Sequence, residues 1–439
     1  MSRRSSRANC PASLPKGIAA PSRPLDGDER SAHEVMLTAA TSMINPAEIA
    51  TIAALLERLL PAALVPLFDA SFIRSDILYD EFIYRLAVQV VRAVGLDAAA
   101  CEPGTSEEIA RNAGLNTERA LALDSILHRL AARHVLEEGG TDDANRRFCV
   151  RDPLPALDPG PIRDEQYRHD SSCLPSYVLA ETVAQDYPAF LRGEVAGERI
   201  LFSPARFRLW FDYFSNDNTL YAVNNRAGAI AVEEWMPRGV GSILELGGGL
   251  ASATTALLER LEQAGRLGDI REYRFTELVP AFLRRGQHTL QTRFSAASFL
   301  TFGQLDMNRR FEEQGVARGS VSVVYAVNTL HVAHNLGFTL GEIFRALEPG
   351  GRLITSECVR PRPDQAIYAE FVFNLMETFR SPVLHPVYRP NGGFLTPEQW
   401  ITAMQAAGFA DVRLLPDIAR LRDRIPAFCV AAIGATRPS

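Results

Sequence analysis

The sequence predicts a mainly α-helical first half followed by an α/β second half built on a mostly parallel sheet. Three observations predict this. From Gly239 onward, short apolar runs alternate with helix-like segments, the order that yields parallel strands with helices on both faces. Before that point the apolar residues recur at helical spacing, as in "PAEIATIAALLERLLPAALVPLFDA". Third, the glycine triplet Gly247–Gly249 directly follows the apolar run "SILEL", where a strand must turn sharply into a helix.

The bulk properties narrow the class. A length of 439 residues with 47% apolar content suits a globular chain of two or three domains. The net charge of -6 gives no basis for binding nucleic acid or a membrane surface, and no apolar run is long enough to span a bilayer. Six cysteines lie scattered with no C-x-x-C pair, which speaks against a zinc knuckle or a disulfide framework and for a reducing cytoplasm. Residues 1–40 read as a disordered tail. Their Ser, Arg and Pro content lacks the apolar centre of a secretory signal, and the prolines discourage a transit-peptide helix.

Residues 41–152 form the first predicted unit. Two long helical patterns lead into "GTSEEIARNAGLNTERALALDSILHRLAARHVLEEGG". Thr105 or Ser106 caps one helix, Gly114 ends it, and Asn116 or Thr117 opens the next. A hairpin ending in "RRFCVRD" completes the order of a winged helix. Its second helix carries Arg119, His128, Arg129 and Arg133, a modest charge for reading DNA, so scaffolding is expected: homodimerisation or covering a site. Residues 153–238 follow as a helical lid. Their apolar aromatics read as packing, but Asn216, Asn218, Asn224 and Asn225, with Tyr213 and Tyr221, exceed what a core accommodates, because buried amides need partners.

Residues 239–439 supply the sheet, with strands at "SILELG", "EYRFTEL", "SFLTFGQLD", "SVSVVYAVN", "GRLITSE" and "AFCVAAIGA". Ligands bind such sheets at the carboxyl ends of the strands. There the chain places Gly247, Gly248 and Gly249, then Glu277 with Leu278, Asp306 with Met307, Asn328 with His331, and Glu357. Helix capping explains one such acid but not a polar group at each successive strand end. Glu277 can accept both hydroxyls of a ribose, and Asp306 with Met307 can meet an adenine edge. No G-x-x-x-x-G-K-[ST] run is present, and Ser252 stands where a dinucleotide fingerprint has its third glycine. The helix opening "LASATT" offers free N–H groups to a carboxylate. Adenine, ribose and an amino-acid carboxylate without phosphate make S-adenosyl-L-methionine, whose amino group Glu245 is expected to orient through the loop.

These residues carry a resemblance. "ILELGGGLASATTALL" resembles the first motif of class I S-adenosylmethionine-dependent methyltransferases. "YRFTELVPAFLRRG", "LDMNRRFEEQGV", "VVYAVNTLHVAHNLGFTLGEIFRALEPGGRLITSE" and "GGFLTPEQWITAMQAAGFADV" are similar to the C-methyltransferase domains of polyketide synthases, in the same order. The resemblance runs from about Ser242 to the end. It implies a Rossmann-like domain with a mostly parallel seven-stranded sheet, and a base dyad in which His331 removes an α-proton from an activated acyl thioester while Glu357 orients it. The winged-helix pattern resembles instead the dimerisation domain of small-molecule O-methyltransferases. O-methylation of a hydroxylated or carboxylic metabolite is therefore the alternative.

Further expectations follow. With no ketosynthase or carrier motif, a stand-alone or excised domain is expected, acting on a small-molecule or carrier-protein-bound acyl substrate. Tyr213, Tyr221, Asn224 and Asn225, with Tyr368 and Asn374 after the fifth strand, are expected to line its pocket; Arg360 and Met376 are further candidates, and Phe371 and Phe373 read as core. His331 and His334, with Asp306 and Asn328, offer a metal-assisted variant, although no metal is assigned. A winged-helix regulator sensing S-adenosylmethionine is the non-enzymatic reading.

Overall fold

The computed structural model describes residues 45–140, 146–239, 241–425 and 428–439. The tail expected over residues 1–40 lies outside them.

Helix Pro46–Leu59 opens where the Asn45 side chain accepts the Ala47 N–H at 3.0 Å. It packs on Ala70–Ala93, a 24-residue helix capped by Asp69. Helix Ser106–Asn112 begins with a capping box: Glu108 N–H donates to the Thr105 hydroxyl, and Thr105 N–H donates to the Glu108 carboxylate. Asn116 caps the short turn that leads into helix Ala120–Ala132. Strands β1 (Glu137–Gly139) and β2 (Arg147–Cys149) pair antiparallel after it.

The cationic residues of this second helix are spent inside the protein. Arg129 donates to Asp80 at 2.5 Å. Arg133 bridges Asp80 at 2.6 Å and Glu81 at 2.9 Å, and Arg119 lies over the Phe190 ring. Arg129 and Arg133 thus tie the module to helix Ala70–Ala93, and Arg119 ties it to helix Leu174–Leu191, which fits the expected scaffolding role. That leaves the regulator reading without its charged surface.

Helices Gly160–His169, Leu174–Leu191, Phe207–Tyr213 and Thr219–Trp235 occupy the next stretch. Thr219–Trp235 packs on the central sheet and on helix Ser252–Gln263, so it is one of the layers covering the sheet.

The sheet has seven strands: β3 (Ser242–Leu246), β4 (Glu272–Thr276), β5 (Leu300–Gly303), β6 (Val321–Val327), β7 (Leu347–Cys358), β8 (Ala410–Leu415) and β9 (Val430–Thr436). Their order is β5-β4-β3-β6-β7-β9-β8, parallel from β5 to β7, with β9 antiparallel to both β7 and β8. Every residue of β6 is buried, as a central strand covered on both faces requires. β8 was not among the six runs read as strands. It lies at the sheet edge and is largely solvent-facing; "ADVRLL" alternates apolar and polar residues over only five positions and has no continuous apolar run like those of the other strands. Among the described residues no helix is long and apolar enough to cross a membrane.

Candidate active site

The order reversal between β3 and β6 opens a crevice at the carboxyl end of the sheet. The glycine turn forms its floor. Gly247 has φ +62°, and a side chain there would meet Thr329 at 2.5 Å; one at Gly248 would lie 2.2 Å from the Phe275 ring. Gly248 N–H donates to the Thr276 carbonyl at 2.8 Å, pinning the turn to β4. The back of the turn is thus packed shut, whereas a side chain at Gly249 would meet only the turn's own backbone, at 4.0 Å. That open front gives a ligand close access to main-chain N–H and C=O groups.

Glu277 follows β4 and is mostly buried. Its carboxylate accepts Gly249 N–H at 2.9 Å and Val279 N–H at 2.8 Å, which joins the second strand end to the glycine turn. Burial pushes this carboxyl above its ordinary value, and the backbone donors pull against that shift. Each oxygen retains acceptor capacity for a ribose hydroxyl. Leu278 beside it is half exposed. Asp306 lies three residues past β5; its side chain accepts Asn308 N–H at 2.9 Å, and Gln314 brackets its backbone N–H and carbonyl. Met307 is partly buried beside it, its carbonyl accepting the Thr339 hydroxyl.

Glu245 departs from expectation. It is 1% exposed, and one carboxylate oxygen accepts both Thr254 Oγ1 at 2.6 Å and Tyr273 OH at 2.9 Å. Burial pushes its carboxyl up to about 7 despite these donors. It braces β3 against β4 and the following helix and does not face the open side of the turn.

The fourth and fifth strand ends form a tight pair. After β6, Asn328 adopts φ +48° and its side chain accepts Cys358 N–H at 3.0 Å. The turn Leu330–Val332 then places His331, 3% exposed, with Nδ1 2.7 Å from Glu357 Oε2. Glu357 is fully buried, and its other oxygen accepts Leu330 N–H at 2.8 Å, Thr329 N–H at 3.2 Å and Thr355 Oγ1 at 3.2 Å. A carboxylate already facing three donors accepts a fourth from Nδ1–H, which leaves the Nε2 lone pair for the cavity that His331 lines. The ring is also held against Phe394, with centroids 4.5 Å apart.

That cavity measures about 170 Å³ and is predominantly apolar. Four of the six residues expected to line it do so: Tyr213, Tyr221, Asn224 and Tyr368. Asn225 and Asn374 do not. Asn225 is fully buried on the other side of its helix and donates to Asn216, which in turn donates to the Ser252 carbonyl, so this amide chain locks the segment to the helix after the glycine turn. Asn374 faces a separate cleft, shared with His128 and Arg360. Arg360 is there paired with Glu370 at 2.6 Å. Phe373 and Met376 line the cavity, whereas Phe371 stacks on Tyr187 as core. Tyr79, Trp210, Phe282 and Cys358 line it too, though nothing in their local sequence singles them out. Burial and the neighbouring Glu357 charge push the Cys358 thiol up to about 12, so it is neutral.

His334 is exposed, and its N–H donates to Asn308. Among the described residues no group of three or more His, Cys, Asp or Glu gathers to hold a metal, so the metal-assisted variant has no donor set.

Glu277→Ala is expected to weaken S-adenosylhomocysteine binding about 10- to 100-fold, the value of a charge-assisted hydrogen bond, measured by calorimetry. Unchanged affinity would place the nucleoside elsewhere.

Comparison with known proteins bears on the fold. Residues 244–353 match the methyltransferase domain family. The highly reducing polyketide synthase 2 of Gibberella zeae is 29% identical over 244 residues, covering 54% of this chain and 9% of that protein. The chain thus spans only a small part of such relatives. The crystal structure of the CurJ carbon methyltransferase superposes with a TM-score of 0.68 at 21% identity, covering 90% of this chain and all of that one. The methyltransferase domain of the citrinin polyketide synthase gives 0.63 at 16% identity, covering 96% and 100%.

Proposed function

Because the chain carries a class I methyltransferase domain in the fold of the polyketide carbon methyltransferases, we propose that it C-methylates an activated acyl thioester, with S-adenosylmethionine as donor. The His331–Glu357 pair opening onto an apolar cavity is the observation that carries this reading. Gly247, Gly248 and Gly249 hold the methionine end of the donor, Glu277 its ribose, and Asp306 with Met307 its adenine. When bound, the donor supplies an electrophilic methyl group whose leaving group is a neutral thioether.

The chain's own residues perform the proton work. Carbon between a ketone and a thioester is a weak acid, so its proton must be taken by a positioned base. His331 Nε2 accepts that proton, and the C–H electron pair becomes the enolate. Glu357 holds the imidazole in the required tautomer and stabilises the imidazolium. The aromatic walls exclude water, which would otherwise protonate the enolate. Tyr221 and Asn224 face the same space and orient the acceptor. The helical module of residues 41–152 scaffolds the site, and the acceptor arrives on a carrier protein.

O-methylation remains the second reading, because a phenol could enter the same cavity. A phenol, however, needs little help from a base, and a fully buried carboxylate committed to orienting an imidazole favours the carbon acid. The test is turnover: S-adenosylhomocysteine should form with a β-ketoacyl pantetheine thioester and not with simple phenols. Turnover with phenols alone would reverse the assignment.

A further inference from the structure

The turn that presents His331 is held from behind by a residue far away in sequence. Arg389 is 1% exposed. Its Nη2 donates to the His331 carbonyl at 2.6 Å and its Nη1 to the Ala333 carbonyl at 3.0 Å. These carbonyls end a three-residue 3₁₀ turn, whose last acceptors have no partner within the turn itself. A guanidinium spans both at once because its N–H groups form a rigid fork.

The arrangement costs stability, which marks it as specific. Arg389 has no carboxylate within ion-pair distance among the described residues, and its Nε is buried without a hydrogen-bond partner. Burial pushes the guanidinium down to about 10, and the Glu357 carboxylate beyond His331 pulls against that shift. Glu357 and Arg389 thus flank the imidazole with opposite charges, one on its Nδ1 and one on its backbone. Arg389 is itself fixed by reciprocal backbone bonds with His385, each 2.9 Å, and the same loop donates Val383 N–H to the His334 carbonyl at 2.6 Å.

We propose that Arg389 is a positioning residue for the base: it clamps the Leu330–Ala333 turn so that the His331 ring keeps its bond to Glu357 while Nε2 faces the acceptor. The catalytic half of this statement rests on the assignment of His331 as base; the positional half does not. Arg389→Gln should lower kcat about 10- to 100-fold, the penalty of a misplacement near 1 Å, with KM for donor and acceptor unchanged. In protein carrying ¹⁵N-histidine, the same variant should shift the His331 Nδ1–H resonance. Arg389→Lys, which reaches one carbonyl only, should fall between the two and decides the matter if the glutamine variant does not fold. A wild-type kcat with an unmoved His331 resonance in the folded variant overturns the proposal. A shifted resonance with wild-type kcat upholds the clamp and instead removes His331 from the base role.

Discussion

His331→Ala is expected to abolish most methyl transfer, lowering kcat about 10²- to 10⁴-fold, the usual contribution of a positioned general base. S-adenosylhomocysteine affinity should be unchanged, because the residues assigned to the donor follow β3, β4 and β5 while His331 follows β6. The fold should survive: the ring packs on Phe394 and Phe379, and its loss leaves the Glu357 carboxylate with three of its four donors. The same variant should stop enzyme-catalysed exchange of the acceptor's α-hydrogen with deuterium oxide, which reads proton abstraction without methyl transfer. Near-wild-type turnover would sink the base assignment.

Glu357→Gln should come close to the same loss by a different route. The glutamine carbonyl oxygen can keep the Thr329, Leu330 and Thr355 donors that Oε1 now accepts. Its NH₂ then faces His331 Nδ1, where a carboxylate oxygen now sits 2.7 Å away. Nδ1 must become the acceptor, so the ring proton moves to Nε2 and the base loses its lone pair. The reverse amide orientation would set NH₂ against three donors, at about 1–3 kcal/mol for each one left unsatisfied. We therefore expect a folded enzyme with kcat reduced about 10²- to 10⁴-fold and little change in KM. A Glu357→Gln enzyme of wild-type kcat would mean that the tautomer is not what Glu357 controls.

The strand ends were legible in the sequence because the alternation of strands and helices places them at one edge of the sheet regardless of packing detail. Glu277, Asn328 and Glu357 needed only that rule. What a side chain does once there was harder to read. Glu245 sits two residues before the glycine turn, but strand alternation turns it into the core, where Thr254 and Tyr273 absorb it. Asn224 and Asn225 are adjacent and chemically identical; one step of about 100° along a helix puts the first on the cavity and the second on Asn216. Phe373 and Asn374 part in the same way, the first lining the cavity and the second a separate cleft. Tyr79 and Arg389 reach the site only through tertiary folding, across 252 and 58 residues from His331, and no local signal marks them.

The most direct measurement is the position of a ¹³C-labelled methyl group in the product formed from labelled S-adenosylmethionine and a β-ketoacyl pantetheine thioester. The account predicts a new carbon–carbon bond at the α-position, between ketone and thioester, formed by the wild type and lost in His331→Ala. A label found on oxygen, as an enol ether or ester, would contradict it.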